Sequence, residues 1–248
     1  RRYGDFQFMG TYVWSKSLSV AHFRQIFSQF GVATPQDYYN IMDSKSHLPF
    51  DQPHVGTMLL TYTLPFGKGK RFLGNANPLV NALVSNWTLS SAHRWASGNL
   101  IQIVTPGNPL GAGSIFAGQT KAVQVQGVPV RTGVNRTDLD PNNPATRWLN
   151  PDAWRPAAPF TLGTAAFFHN EFRQPPVFSD NIGIVKKTTL WQNDKNPVTL
   201  TYRADAFNAF NRTNFGGVVG TIGNANFGRP TGPQLGARLI TMGLRLEF

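Results

Sequence analysis

Cysteine is absent from all 248 residues. Disulfides, thiolate nucleophiles and cysteine-bound zinc are therefore excluded together. Acids are scarce, 12 Asp and Glu against 23 Lys and Arg, so the formal charge of +11 reflects missing carboxylates as much as added bases. Nucleic acid is the first partner such a charge suggests. The bases are scattered, however, no basic helix is legible, and only "GKGKR" (67–71) is a dense cluster. Contact with anionic lipid or its phosphates fits this distribution better, and no nucleic acid partner is expected. No run of 18 apolar residues is present, so a membrane-spanning helix is excluded. The opening "RRYGDFQF" lacks the apolar stretch of a secretion signal and enters an alternating strand at once. The chain is therefore expected to be a piece whose N-terminal portion lies upstream.

What is there instead is 24 Gly, 18 Pro and 19 Phe with 14% charged residues, a strand-and-turn composition without the Ala/Glu/Lys/Leu bias of helices. Six segments alternate with a period of two. From about Tyr3 to Leu18, Phe6, Phe8, Gly10, Tyr12 and Trp14 share a face; in "HVGTMLLTYTLPF" (54–66), Met58, Leu60, Tyr62 and Leu64 oppose three threonines. From Trp87 to about Thr105, Trp87, Leu89 and Trp95 share a face that His93 interrupts. About Ile182 to Gln192 alternates poorly. "VTLTYRADAFNAFN" (198–211) sets Val198, Leu200, Tyr202, Ala204 and Ala206 against Thr199, Thr201, Arg203 and Asp205, and "ARLITMGLRLEF" (237–248) closes with Ile240, Met242, Leu244, Leu246 and Phe248 in register.

The connections run roughly 35, 20, 75, 5 and 25 residues, alternately long and short. A structureless 75-residue loop is foreign to a compact soluble domain but expected of an outer-membrane barrel, with its short periplasmic turns and long extracellular loops. The long ones are 21–53, Pro106 to about Asp180, and 212–232, and their turn-forming residues argue against helices except for a short one near 20–30. With the apolar faces toward lipid, the final strand is no exposed edge but a wall strand whose backbone groups all find partners in a closed barrel. Trp87 and Trp95, eight residues apart on one face, span about 26 Å along a strand and about 20 Å along the normal after tilting, close to the height of an apolar band flanked by aromatic girdles. On the terminal strand, Arg238 continues the apolar face beyond Ile240 at the outer leaflet, placed to snorkel to lipid phosphates.

"TYVWSKSL", "LLTYTLPFGKGKRFL", "SNWTLSSAHRWASGNLIQI", "RWLNPDAW", "LTYRADAFNAFNRTNFG", "FGRPTG" and "GLRLEF" together resemble, in this order, the C-terminal part of TonB-dependent receptors, most closely the Oar-like group with a carboxypeptidase-regulatory-like domain. The resemblance covers nearly the whole chain and rests on order and spacing. It implies residues 1–248 as the C-terminal portion of one barrel domain, about six strands of about 22, with the plug and earlier strands absent. It implies uptake or binding of an extracellular substrate, no enzyme activity and no cofactor. The implied partners are outer-membrane lipid and lipopolysaccharide, the barrel assembly machinery, and the TonB complex through the missing plug. The implied place is the bacterial outer membrane, and the terminal Phe248 resembles a barrel assembly signal.

Motifs for other chemistry are incomplete. "HNEF" (169–172) holds a His-x-Glu but lacks the Cys-x-x-Cys that a zinc deaminase needs. The five histidines never form His-Glu-x-x-His, which points to solvated loop residues rather than a metal site. "GKGKR" lacks the spacing and the Ser/Thr of a phosphate loop. Asp138 and Asp140, the one close Asp pair, lie in a proline-rich loop rather than on facing rigid elements as a glycosidase requires. The candidate ligand residues are Trp148 and Trp154 in "RWLNPDAW", as an aromatic platform or as pins holding the loop to the barrel mouth, with Arg203 and Asp205 facing the lumen, where an ion pair within the wall is the plainer role. A rival architecture is a secreted all-β carbohydrate-binding module, which requires a buried apolar face and shorter loops.

Overall fold

The computed structural model describes residues 2–20, 36–37, 39–107, 120–191, 197–233 and 235–248. The short helix expected near 20–30 falls outside the described residues, apart from its first residue, as does His22. Six long strands form the wall: β1 (Phe6–Trp14), β2 (His54–Thr63), β3 (Trp87–Ala96), β4 (Val177–Trp191), β5 (Val198–Phe207) and β6 (Leu239–Glu247). They pair in chain order, every pair antiparallel, and the two-residue strand Arg2–Tyr3 adds a seventh member beside β1. The all-β, antiparallel expectation holds. The sheet is one open layer: Arg2–Tyr3 and β6 are its edges and do not pair with each other.

Register fixes which side chains share a face. Tyr12, Gly56, Trp95 and Phe178 lie side by side across β1 to β4, and Leu89, Ile184, Ala204 and Met242 do so across β3 to β6. This is the apolar face. Two aromatic belts bound it: Tyr12, stacked on His54 and Trp95, toward one end, and the edge-on pairs Phe6–Tyr62 and Trp87–Tyr202 toward the other. The opposite face carries Thr57, Thr61, Ser90, Arg94, Lys187, Thr201, Arg203 and Arg245.

Strand limits shift from the sequence expectation for local reasons. The first strand is cut at Gly4, whose φ of 58° turns the chain into a tight hairpin between Tyr3 and Phe6. The third stops at Ala96, and Val104–Thr105 belongs to a separate two-stranded sheet with Thr120–Lys121. The fifth ends at Phe207 because Asn208 and Asn211 take left-handed φ values of 49° and 50°, which Asn tolerates better than other side chains. The fourth begins at Val177 rather than Ile182. Asp180 on its apolar face hides the alternation, and the buried Asn214 holds this extension like a neighbouring strand: its Oδ1 accepts from the Phe178 amide at 2.8 Å and its Nδ2 donates to the Phe178 carbonyl at 2.7 Å.

The β2–β3 connection contains a helix that turn composition did not announce, α1 (Pro78–Val84). Asn77 caps it by accepting the Val80 amide at 2.8 Å, and Pro78 occupies its first turn. "GKGKR" lies in the same connection as a tight turn, with Gly67 N–H bonded to the Phe72 carbonyl at 3.0 Å.

Candidate functional site

The three long connections, 15–53, 97–176 and 208–238, leave from one end of the sheet, and their described residues form a cap with its own core. Ile101, Ile103, Leu139, Trp148, Leu149, Trp154, Phe172, Phe215, Val218 and Phe227 pack together there, all from the second and third connections. "RWLNPDAW" and "FGRPTG" meet backbone to backbone. Trp148 and Leu149 amides both donate to the Gly228 carbonyl, and Gly228, at φ 76°, sits so close that a side chain would strike the Leu149 carbonyl oxygen. Asn150 accepts the Asp152 amide at 3.1 Å and Pro151 starts a single 3-10 turn, Pro151–Ala153, which delivers Trp154 to the core.

Both candidate tryptophans are therefore inside the cap, at 8% and 5% exposure. Trp148 donates its indole N–H to the Arg173 carbonyl at 2.5 Å and carries the Arg131 guanidinium 4.3 Å above its ring. Trp154 meets Phe172 edge to face at 4.6 Å and borders a cavity of about 260 Å3 together with Arg147 and Phe227. A larger cavity of about 630 Å3 opens between the second and third connections. Arg203 and Asp205 lie elsewhere, on the polar face of β5, bonded to each other at 2.5 Å; Arg245 and Glu247 repeat the arrangement on β6 at 3.1 Å. Phe248 follows β6 directly and is 89% exposed.

Two ion clusters, each built on a buried charge, escape sequence reading because their members are far apart in the chain. Asp51, 2% exposed, accepts from the Ser17 amide at 2.6 Å, from Arg173 through one carboxylate oxygen, and from His47 Nδ1 at 3.2 Å. Arg173 also donates to the Asp51 carbonyl at 2.6 Å and to Asn170 Oδ1 at 2.8 Å. This hub ties the first connection to the second across 122 residues of sequence. Burial disfavours the Asp51 carboxylate, but the Ser17 amide, Arg173 and His47 outweigh it and hold its pKa below the ordinary value. Burial lowers the His47 pKa, with Arg173 and Lys16 adding to it, against the opposing pull of Asp51. His47 is thus a member of an ion cluster, not the solvated loop histidine expected. In the second cluster, buried Lys121 donates to the Asp43 carbonyl at 2.5 Å and carboxylate at 2.7 Å, below the Phe167 ring. Among the described residues no three His, Asp or Glu side chains converge as a metal site would need.

The His93 interruption of the apolar face also finds a partner. Asp180 lies directly across on β4, its Oδ1 2.7 Å from His93 Nδ1, and Arg212 approaches its other oxygen at 3.0 Å. Polar residues on an otherwise apolar face are thereby paired, as a low-dielectric neighbour demands.

One apolar face between two aromatic belts, a polar opposite face, and long connections gathered at one end are the marks of a wall that stands in lipid. The outer membrane beta barrel domain family matches this chain over residues 1–241. The chain belongs to that family. No curated protein and no solved structure matches the chain. An outer membrane β-barrel domain places the protein in the bacterial outer membrane. The apolar face is then the lipid face and the capped end the extracellular one. Lys186, on the lipid face near the other end, reaches back to the Ser85 carbonyl at 2.7 Å and covers Trp87, which keeps its ammonium at the interface. The rival sandwich required a buried apolar face, whereas Tyr12, Trp95, Leu89 and Met242 on that face are all exposed.

Proposed function

We propose that this barrel domain is the C-terminal part of a TonB-dependent receptor, which binds or takes up an extracellular substrate without chemically transforming it. The observation that carries the reading is the open up-and-down sheet under a folded extracellular cap. Its edge strands have unpaired backbone groups that lipid cannot satisfy, so closure requires further strands, and about 22 is the number in transporters with a plugged lumen. The ordered quotations from "TYVWSKSL" to "GLRLEF" support the same reading by resemblance. On this reading energy arrives from a periplasmic TonB complex through a plug that residues 1–248 do not include. The cap, held by Asp51–Arg173 and Lys121–Asp43, forms part of the extracellular mouth, and Arg203–Asp205 lines the lumen wall.

The test uses the full-length protein in its own cells. Site-specific photocrosslinking from its periplasmic side is expected to trap TonB, and the adduct is expected to vanish when the energising complex is deleted. A full-length protein that reaches the outer membrane at normal level yet yields no TonB adduct from any periplasmic position overturns the receptor reading and leaves the barrel assignment standing.

A further inference from the structure

We infer that the cavity of about 260 Å3 beside Trp154 binds the carboxylate of a small acid with a compact apolar body. The inference rests on the geometry of the cap and not on the receptor reading. Its first support is a contrast inside "RWLNPDAW". Both tryptophans are buried, and Trp148 donates its indole N–H to the Arg173 carbonyl, whereas Trp154 Nε1 has no partner among the described residues. A buried indole N–H normally finds an acceptor, and leaving it unpaired is unfavourable. Trp154 lines the cavity, so an acceptor held there completes it. The second support is Arg147, which lines the same cavity. Its guanidinium donates to the Phe227 carbonyl and, at 3.0 Å, to the Ala225 carbonyl, which leaves the rest of its five N–H groups for a guest. None of the ion pairs among the described residues includes Arg147, and no carboxylate of the described residues lines the cavity.

Guanidinium and indole donate and do not accept. The Ala225 and Phe227 carbonyls already accept from Arg147, and Asn224 Oδ1 already accepts the Asn226 amide at 2.8 Å. The guest must therefore bring acceptors, and beside an unpaired guanidinium the favoured acceptor is an anion. The rest of the lining is largely apolar, with Pro151, Ile222, Phe227 and the Trp154 ring. One guanidinium balances one charge, so a monoanionic carboxylate fits where a dianionic phosphate would leave charge stranded against apolar groups. The volume equals the share of about eight or nine waters at roughly 30 Å3 each, which suits a molecule of about ten non-hydrogen atoms. The site is also formed in advance. Phe172 holds the Trp154 ring edge to face at 4.6 Å, and the Phe227 amide closes the 224–227 turn on the Asn224 carbonyl at 2.9 Å. Gly223, Asn224 and Ala225 are exposed and make the mouth. Little ordering then remains for binding to oppose.

The experiment titrates phenylacetate into the full-length protein in lipid nanodiscs and reads binding by saturation-transfer NMR, beside phenylacetamide and phenyl phosphate. The wild type is expected to bind phenylacetate with a Kd of about 0.1 mM or below. The neutral amide, which loses the charge-assisted bond, and the dianionic phosphate are each expected to bind about tenfold more weakly. Trp154→Phe keeps a ring but removes the donor, and should weaken phenylacetate and phenylacetamide alike, by about fivefold. Arg147→Gln should instead abolish the preference of the acid over the amide. Ala225→Leu fills the mouth from an exposed position and should weaken both by about tenfold, which keeps the proposal testable if Arg147→Gln loosens the turn. Limited proteolysis checks that the cap stays folded in each variant. Absence of phenylacetate binding, equal binding of acid and amide, or unchanged affinity in both Trp154→Phe and Ala225→Leu overturns the proposal. Tighter binding of phenyl phosphate overturns the carboxylate class. TonB crosslinking is untouched by any of these outcomes.

Discussion

Asp51 shows how one side chain holds two loops. Its carboxylate gathers the Ser17 amide, His47 and Arg173, and Arg173 in turn reaches the Gly98 carbonyl at the end of β3. Asp51→Asn is nearly isosteric but leaves the Arg173 charge buried without its partner, a loss of about 3–5 kcal/mol. Limited proteolysis of the full protein is expected to cut the cap in this variant while the wall strands stay protected. Acid should act on the same hub. The folded His47 pKa lies below 6.5, so its contribution is whole above that value and is lost as pH falls through the lowered one. The folded Asp51 pKa lies below 3.8, so its contribution is whole above that value and is lost only under stronger acid. Both signs make the cap less stable in acid. Hydrogen exchange at 44–51, corrected for intrinsic rates, is expected to be faster at about pH 5 than at about pH 7.5, and the His47 part of the difference to vanish in His47→Gln.

At the scale of the element, the register of β5 and β6 divides lipid from lumen. Ala204 lies between Ile184 and Met242, whereas Thr241 at the same depth faces Asp205 on the opposite side of the sheet. Arginine at Ala204 must enter hydrocarbon and is expected to cost about 2–4 kcal/mol, whereas Thr241→Arg, beside a carboxylate in the lumen, should cost under about 1 kcal/mol. Denaturant titration of the full-length protein in lipid vesicles reads the difference; equal costs would contradict this register, and a larger cost at Thr241 would mean that the faces are reversed. Thr201 is a poorer lumen probe, because it sits between Lys187 and Arg245 and an added arginine would meet two like charges.

Across the whole molecule, the wall and the cap have unlike cores. The cap buries Trp148, Leu149, Trp154 and Phe172, while the wall leaves Phe8, Leu89, Met242 and Leu244 exposed because it is one layer thick. Residues 1–248 expressed alone without detergent are therefore expected to elute as aggregate or in the void volume, two open edges and an apolar sheet face being the recipe for edge pairing. A sharp monomer peak with a cooperative melt would contradict the lipid assignment of that face. The separate cap core also implies that cap variants such as Asp51→Asn leave wall register intact.

The sequence by itself determined the strands and their faces, because period-two alternation is local and the pairing of Trp87 with Trp95 on one side follows from the pleat alone. The long and short rhythm of the connections was equally legible, and with it the barrel class. Tertiary structure decided the rest. Asp51 and Arg173 are 122 residues apart, so nothing in either neighbourhood announces their bond. His93 looked like a defect of its strand and Asp180 like the end of a loop until cross-strand pairing put them 2.7 Å apart. Trp148 and Trp154 stood in the sequence as either platform or pin, and their burial depends on Gly228 and Phe172 arriving from other parts of the chain. Patterns within a strand are set by backbone geometry, while contacts between distant loops exist only once the wall has brought their ends to one rim.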